Sequence, residues 1–158
     1  SKTSSLLIKR NKDGILVDGD SGMLIRYAGC CSPVFGEEIT GYISRGRGVT
    51  IHRKDCPNLK YLESERLIDA VWDDNLKSRT TSVVVKIISE KSDKFLIILT
   101  QDIVGAGYRI LGLDSKQTTN GKVTTTAKIE VEKQEDLTKV LRIIKEIKCV
   151  EDVFRVGR

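Results

Sequence analysis

The second half of the chain alternates between two hydrophobic periods. Val83, Val85 and Ile87 recur at every second position within residues 81–89, the spacing that turns one face of a strand into a core. Phe95, Leu96, Leu99 and Ile103 then recur at helical spacing, and Gly105-Ala106-Gly107 supplies the stop. Residues 108–115 and 123–131 read as strands joined through Thr119-Asn120-Gly121, because Asn-Gly favours the positive φ of a tight hairpin. In the second of these, Val123, Thr125, Ala127, Ile129 and Val131 face inward, while Thr124, Thr126, Lys128 and Glu130 face outward. A helix over about 135–147 follows from Leu137, Val140, Leu141 and Ile144. Glu135 and Asp136 at its start and Lys145 and Lys148 at its end complement the macrodipole. A strand over 150–156 closes the pattern. The predicted order β-α-β-β-α-β is the split βαβ arrangement: one antiparallel sheet with two helices on one face.

Before residue 80 the segments are shorter. GILVDG begins at Gly14, MLIRYAG follows, and Cys30-Cys31 precedes the breaker Ser32-Pro33. Strands are predicted over 39–44 and 49–52, joined by Arg45-Gly46-Arg47-Gly48, whose glycines permit a tight turn that pushes both arginines outward. Val49 and Ile51 share one face of the second strand and Thr50 and His52 the other, so His52 need not be core. Asp55 as N-cap and Pro57 in the first turn predict a helix of about two turns, with its N-terminus favouring a thiolate at Cys56. Residues 67–72 read as a closing strand. The divisions expected are a tail over 1–13, a Cys/His module over 14–72, a polar linker over 73–79 and the second domain over 80–158.

Composition narrows the class. Hydrophobic residues make up 39% and charged residues 31% of 158 positions, the balance of a soluble globular protein. Halves of about 60 to 80 residues are marginal alone, so a small half needs a staple such as a metal or a partner. With no 18-residue apolar run and no secretory pattern, a membrane span is excluded and a reducing, cytoplasmic setting is expected. Ser at position 1 suggests an excised fragment of a longer protein. The net charge is +5, and residues 40–61 hold five basic residues (Arg45, Arg47, Arg53, Lys54, Lys60) against Asp55 alone. A stretch of that kind attracts phosphate, or is simply a solvated basic loop.

Catalytic motifs are missing. His52 and Cys56 form the single pair able to activate a nucleophile, but no substrate pocket can be argued around so short a segment. Cys30, Cys31, His52 and Cys56 instead have the donor types of a closed zinc site. The His-x₃-Cys arm has standard spacing; the adjacent cysteines both reach one ion only from a turn, which Gly29 and Pro33 permit. Reduced structural thiols and a redox-responsive disulfide remain open beside zinc. Cys149, alone downstream, reads as a small core residue. Arg45, Arg47, Arg53 and Lys54 offer charge to phosphates, and Tyr42 either stacks on a base or packs, so RNA shape rather than sequence is the expected target.

The stretch CCSPVFGEEITGYISRGRGVTIHRKDCPNL closely resembles the Cys/His module near the C-terminus of long RelA/SpoT homologues, the (p)ppGpp synthetase/hydrolase enzymes of the bacterial stringent response. The resemblance covers about residues 14–158. It implies an α+β chain in which a small β-rich Cys/His module, the zinc-finger or RIS domain, precedes a ferredoxin-like βαββαβ ACT domain. It places Cys30, Cys31, His52 and Cys56 at the family's Cys/His positions, and Arg45, Arg47, Arg53 and Lys54 in its GRG–HR stretch. It further implies that the fragment is not itself an enzyme, and that hydrolase and GTP pyrophosphokinase domains lie N-terminal to it in the parent. Its partners would be those catalytic domains, ribosomal RNA and uncharged tRNA, with no membrane involved. ACT domains that bind amino acids usually enter the first helix through a D-R-x-G-L-L type turn. Here Lys91-Ser92-Asp93-Lys94-Phe95-Leu96 stands there, with Lys94 in the glycine's place. Docking or homodimerisation through the ACT domain is therefore expected ahead of sensing a branched-chain amino acid.

Overall fold

The computed structural model describes residues 14–17, 24–46, 48–73 and 80–157. The expected tail over 1–13, Arg47 and linker residues 74–79 lie outside the described residues. The chain divides into two compact units, between Arg79 and Thr80.

The first unit is built on strands β1 (Ile15–Val17), β2 (Ile25–Tyr27), β3 (Ile39–Ser44), β4 (Gly48–Arg53) and β5 (Leu67–Trp72). They form one sheet in the order β1-β5-β3-β4-β2. All neighbours are antiparallel except β2 and β4, which run parallel with Tyr27 opposite Ile51. Alternation gathers Ile15, Ile39, Val49, Ile51 and Ala70 into a buried cluster, with Ile25, Tyr27, Ile68 and Trp72 packed on it. Gly41 stands in the middle of that face because a Cβ there would meet Val49 Cγ1 at 2.9 Å and Ile68 Cγ1 at 3.0 Å. Gly48, at φ 79°, opens β4 where a Cβ would lie 2.3 Å from the Leu24 carbonyl oxygen. That close approach lets the Val49 N–H donate to Leu24 at 2.8 Å and starts the parallel pair. Trp72 closes the unit: its indole N–H donates to the Glu37 carbonyl at 2.8 Å, and Phe35 meets its ring edge-on. Asp73, read as the first linker residue, is buried, and its N–H donates to Gly14 at 2.7 Å.

The second unit follows the predicted order: β6 (Thr81–Glu90), α1 (Phe95–Gly105), β7 (Arg109–Gln117), β8 (Lys122–Val131), α2 (Gln134–Lys145) and β9 (Val150–Val156). Its sheet is antiparallel throughout, in the order β7-β8-β6-β9. Val83, Val85, Ile87, Ala127 and Ile129 on the sheet meet Phe95, Leu99, Ile103, Leu137, Val140 and Ile144 on the helices, all buried. Gly107 ends α1 at φ 95°, and Gly121 makes the hairpin at φ 78°. Two assignments differ. Leu96, placed in the α1 stripe, is 42% exposed, and Cys149 is half-buried rather than core. No helix among the described residues is long and apolar enough to cross a membrane.

Candidate metal centre

The parallel pairing of β2 and β4 determines where the site forms. Two strands running the same way finish at the same end of the sheet, so the segments leaving them are neighbours. Beyond β2, the Ala28 N–H donates to the Ile51 carbonyl at 2.9 Å and the chain winds into a turn. The Ser32 N–H reaches back to the Ala28 carbonyl at 2.9 Å, and Ser32 sits at φ 43°. Helical winding separates successive side chains by about 100° rather than by the half-turn of a strand. That is how adjacent Cys30 and Cys31 aim at one point.

His52 comes from the last positions of β4, opposite Thr40 and off the apolar face. It is buried even so, packed among sulfurs rather than in the core cluster. Cys56 follows one turn later, its N–H donating to the Arg53 carbonyl at 3.0 Å. The predicted helix here is a short 3-10 helix over Pro57–Tyr61, with Cys56 and not Asp55 at its N-cap. Pro57 is the cause, since the residue before a proline is forced out of the helical region. Cys56 accordingly sits at φ −63°, ψ 123°.

The four donor atoms lie within 4.8 Å of one another. Cys30 Sγ is 3.5 Å from His52 Nδ1, 3.6 Å from Cys56 Sγ and 4.0 Å from Cys31 Sγ, and Cys31 Sγ is 3.7 Å from His52 Nδ1. Metal–sulfur bonds of about 2.3 Å and a metal–nitrogen bond of about 2.0 Å in a tetrahedron require S···S edges of about 3.8 Å and S···N edges of about 3.5 Å. These four separations lie close to those edges, and all are far from the roughly 2.05 Å of a disulfide. All four cysteines of the chain are free thiols. The cluster can hold a metal ion.

Electrostatics fit the same use. Burial pushes the Cys31 thiol up to about 12. Burial also acts against the Cys30 thiolate, but hydrogen bonds from Asn58, Cys56 and Cys31 outweigh it and bring that thiol below its ordinary value. Burial lowers His52, keeping the imidazole neutral as a ligand must be. A divalent cation would turn the cost of buried thiolates into attraction.

The cations do not stay together in space. Arg45 is exposed at the tip of the β3–β4 hairpin, whereas Arg53 and Lys54 lie at its other end. Five residue steps along β4 separate the two groups by about 16 Å. Lys54 is exposed. Arg53, expected to face phosphate, is engaged by the protein: its Nη1 lies 3.8 Å from Glu37 and 3.4 Å from Asp55, and its Nε donates to the Cys31 carbonyl at 3.1 Å. Glu37 also accepts the Val34 N–H at 2.8 Å, so it ties Arg53 to the loop that follows the Cys30-Cys31 turn. No spacing pattern marks Glu37 or Asn58. Tyr42 packs, with the Arg66 guanidinium 5.4 Å over its ring.

Comparison with known proteins agrees with this arrangement. A model of the RelA/SpoT RIS domain matches residues 15–73, and an ACT-domain model matches residues 77–155. The GTP pyrophosphokinase of Escherichia coli strain K12 is 32% identical over 93% of this chain, and the probable GTP pyrophosphokinase of Mycobacterium leprae is 32% identical over 98% of it. The chain belongs to the RelA/SpoT family. It spans about a fifth of the length of those relatives, 20% in both cases. The ACT domain from the GTP pyrophosphokinase of Chlorobium tepidum superposes with a TM-score of 0.44 at 18% identity, covering 49% of this chain and 100% of that one. The Cys30/Cys31/His52/Cys56 cluster thus lies wholly within the residues that the RIS model matches. The turn read as the ACT domain's ligand loop has Lys94 at the N-cap of α1, exposed and at φ −94°, ψ −9°.

Proposed function

We propose that the chain is the regulatory segment of a cytoplasmic (p)ppGpp synthetase/hydrolase, and that zinc holds its RIS domain in the form that docks on ribosomal RNA. The observation that carries this is the succession of RIS and ACT domains in one chain whose curated relatives are named GTP pyrophosphokinase. Three thiolates and an imidazole are a donor set that favours zinc. Bound there, the ion supplies cross-links and no reactive position, because four protein donors close its shell. The segment's part is then to report a ribosome stalled by uncharged tRNA to the parent's catalytic domains, not to transfer pyrophosphate. Arg45 at the hairpin tip and Arg47 two positions on in the sequence, with Lys54 at the hairpin's other end, are the phosphate contacts; Arg53 supports the site.

Binding of the chain to ribosomes across a salt series tests this. Affinity should fall steeply with salt, and the double change Arg45→Ala/Arg47→Ala should lower the slope by about two. An unchanged slope would end the RNA reading.

A second reading concerns the ACT domain. β7 pairs only with β8, so its other edge has no strand beside it among the described residues. Leu111 and Leu113 on β7 are 45% and 40% exposed, and Leu96, Ile97 and Val104 of α1 are exposed as well. An apolar edge of this kind pairs with another copy more readily than it stays in water. We assign it to homodimerisation. Sedimentation of Leu111→Lys/Leu113→Lys should show a monomer where the parent chain shows a concentration-dependent dimer.

A further inference from the structure

The three sulfurs of the RIS domain differ in access. Cys30 is exposed, whereas Cys31 and Cys56 are 2% and 4% exposed. Cys31 Sγ also accepts the Arg53 N–H at 3.3 Å, which occupies it further. A solvent-borne reagent therefore meets Cys30 first. The sulfur closest to Cys30 is Cys56 at 3.6 Å. Cys31 is at 4.0 Å and adjacent in sequence, so bonding to it would close a small strained ring.

We propose that Cys30 is a modification site for peroxide-type two-electron oxidants, and that its oxidation joins it to Cys56 and dismantles the metal site. The inference rests on the metal reading above only for its consequence; the pairing rests on access and distance. In the first step the Cys30 thiolate attacks one peroxide oxygen, the O–O bond breaks, and hydroxide leaves a sulfenic acid. The Cys56 thiolate then attacks that sulfur and expels a second hydroxide as the S–S bond forms. Two thiolates lose two electrons and one peroxide gains them. Cys31 and His52 remain as donors, too few to close a tetrahedral shell.

The test treats the zinc-loaded chain with one equivalent of hydrogen peroxide. Released zinc is followed with a chromogenic chelator, and cross-links are located by peptide mapping. One zinc ion should appear per cross-link, the cross-link should join Cys30 to Cys56, and dithiol plus zinc should reverse both changes. Cys149→Ser should leave the release rate unchanged. A cross-link through Cys31 or Cys149, or zinc retained after Cys30 has been oxidised, would overturn the proposal. A chain that purifies without metal but still forms the Cys30–Cys56 bond counts against the metal reading and for the pairing. Without metal, failure to form that bond overturns the pairing itself.

Discussion

The backbone N–H of Arg53 donates to Cys31 Sγ over 3.3 Å, and the Nε of the same residue donates to the Cys31 carbonyl at 3.1 Å. One residue therefore holds both the ligand atom and the main chain of its neighbour across the site. Its guanidinium continues outward to Glu37 and Asp55. Groups that orient a metal ligand from behind typically alter affinity by about 10–100-fold when removed.

Arg53→Ala should accordingly weaken zinc binding by about that factor, whereas Arg53→Lys, which keeps charge but not the planar fork, should recover part of it. Competition with a calibrated chelator measures the affinity. The absorption bands of the cobalt-substituted protein report whether the ligand geometry has shifted. Ribosome binding by zinc-saturated Arg53→Ala should keep its salt slope. A lowered slope with unchanged metal affinity would return Arg53 to the phosphate contacts.

Metal removal should act on one unit. An ion that binds only the folded RIS domain stabilises it by about 4 kcal/mol when free ion exceeds Kd a thousandfold. Chelation, or His52→Ala, should lower the RIS thermal transition and leave that of the ACT domain in place. Calorimetry with and without chelator distinguishes them. A melting profile indifferent to chelator and to His52→Ala would leave the thiols as packing residues.

Gly41→Ala probes the sheet independently of the site. The added methyl would press on Val49 and Ile68 at about the separations given by the ideal Cβ, 2.9 Å and 3.0 Å. Overpacking of this kind costs about 1–3 kcal/mol. Denaturant unfolding should show that loss in the RIS transition alone. Equal stability would mean that the sheet relaxes around the methyl.

Tyr108 gives the ACT domain a pH signature. Burial, reinforced by its hydrogen bond to Asp136 at 3.1 Å, raises the Tyr108 phenol above its ordinary value of about 10. A folded-state value above the unfolded one stabilises fully below the unfolded pKa and is lost as pH rises through the folded one. The contribution should therefore fade only in alkali. Ultraviolet titration should show one tyrosine ionising late, and Tyr108→Phe should remove that phase. Its persistence in the variant would assign the late phase to another tyrosine.

The ACT domain was legible because β6, β8 and α2 carry one apolar face each. Val83, Val85 and Ile87 have no other face to hide on. α1 is different: FLIIL is apolar on nearly every side, so period alone could not separate buried Phe95 and Leu99 from exposed Leu96. In the RIS domain the donor types were visible, but the turn that brings Cys30 and Cys31 to one point depends on the parallel β2–β4 pair, a contact between residues 24 positions apart. The basic stretch misled in the opposite sense. Arg45 and Arg53 are close in sequence but lie at opposite ends of a strand, and the acid that engages Arg53 comes from an earlier loop.

The β2–β4 pair also bears on how the domain assembles. A finger whose ligands sit in two short C-x-x-C arms can seize its ion from a nearly random coil and fold around it. Here the donors are recruited from the exits of two strands that are neighbours only after the sheet exists. An ion taken up there would load late in maturation and lock a scaffold that the apolar face had already laid down.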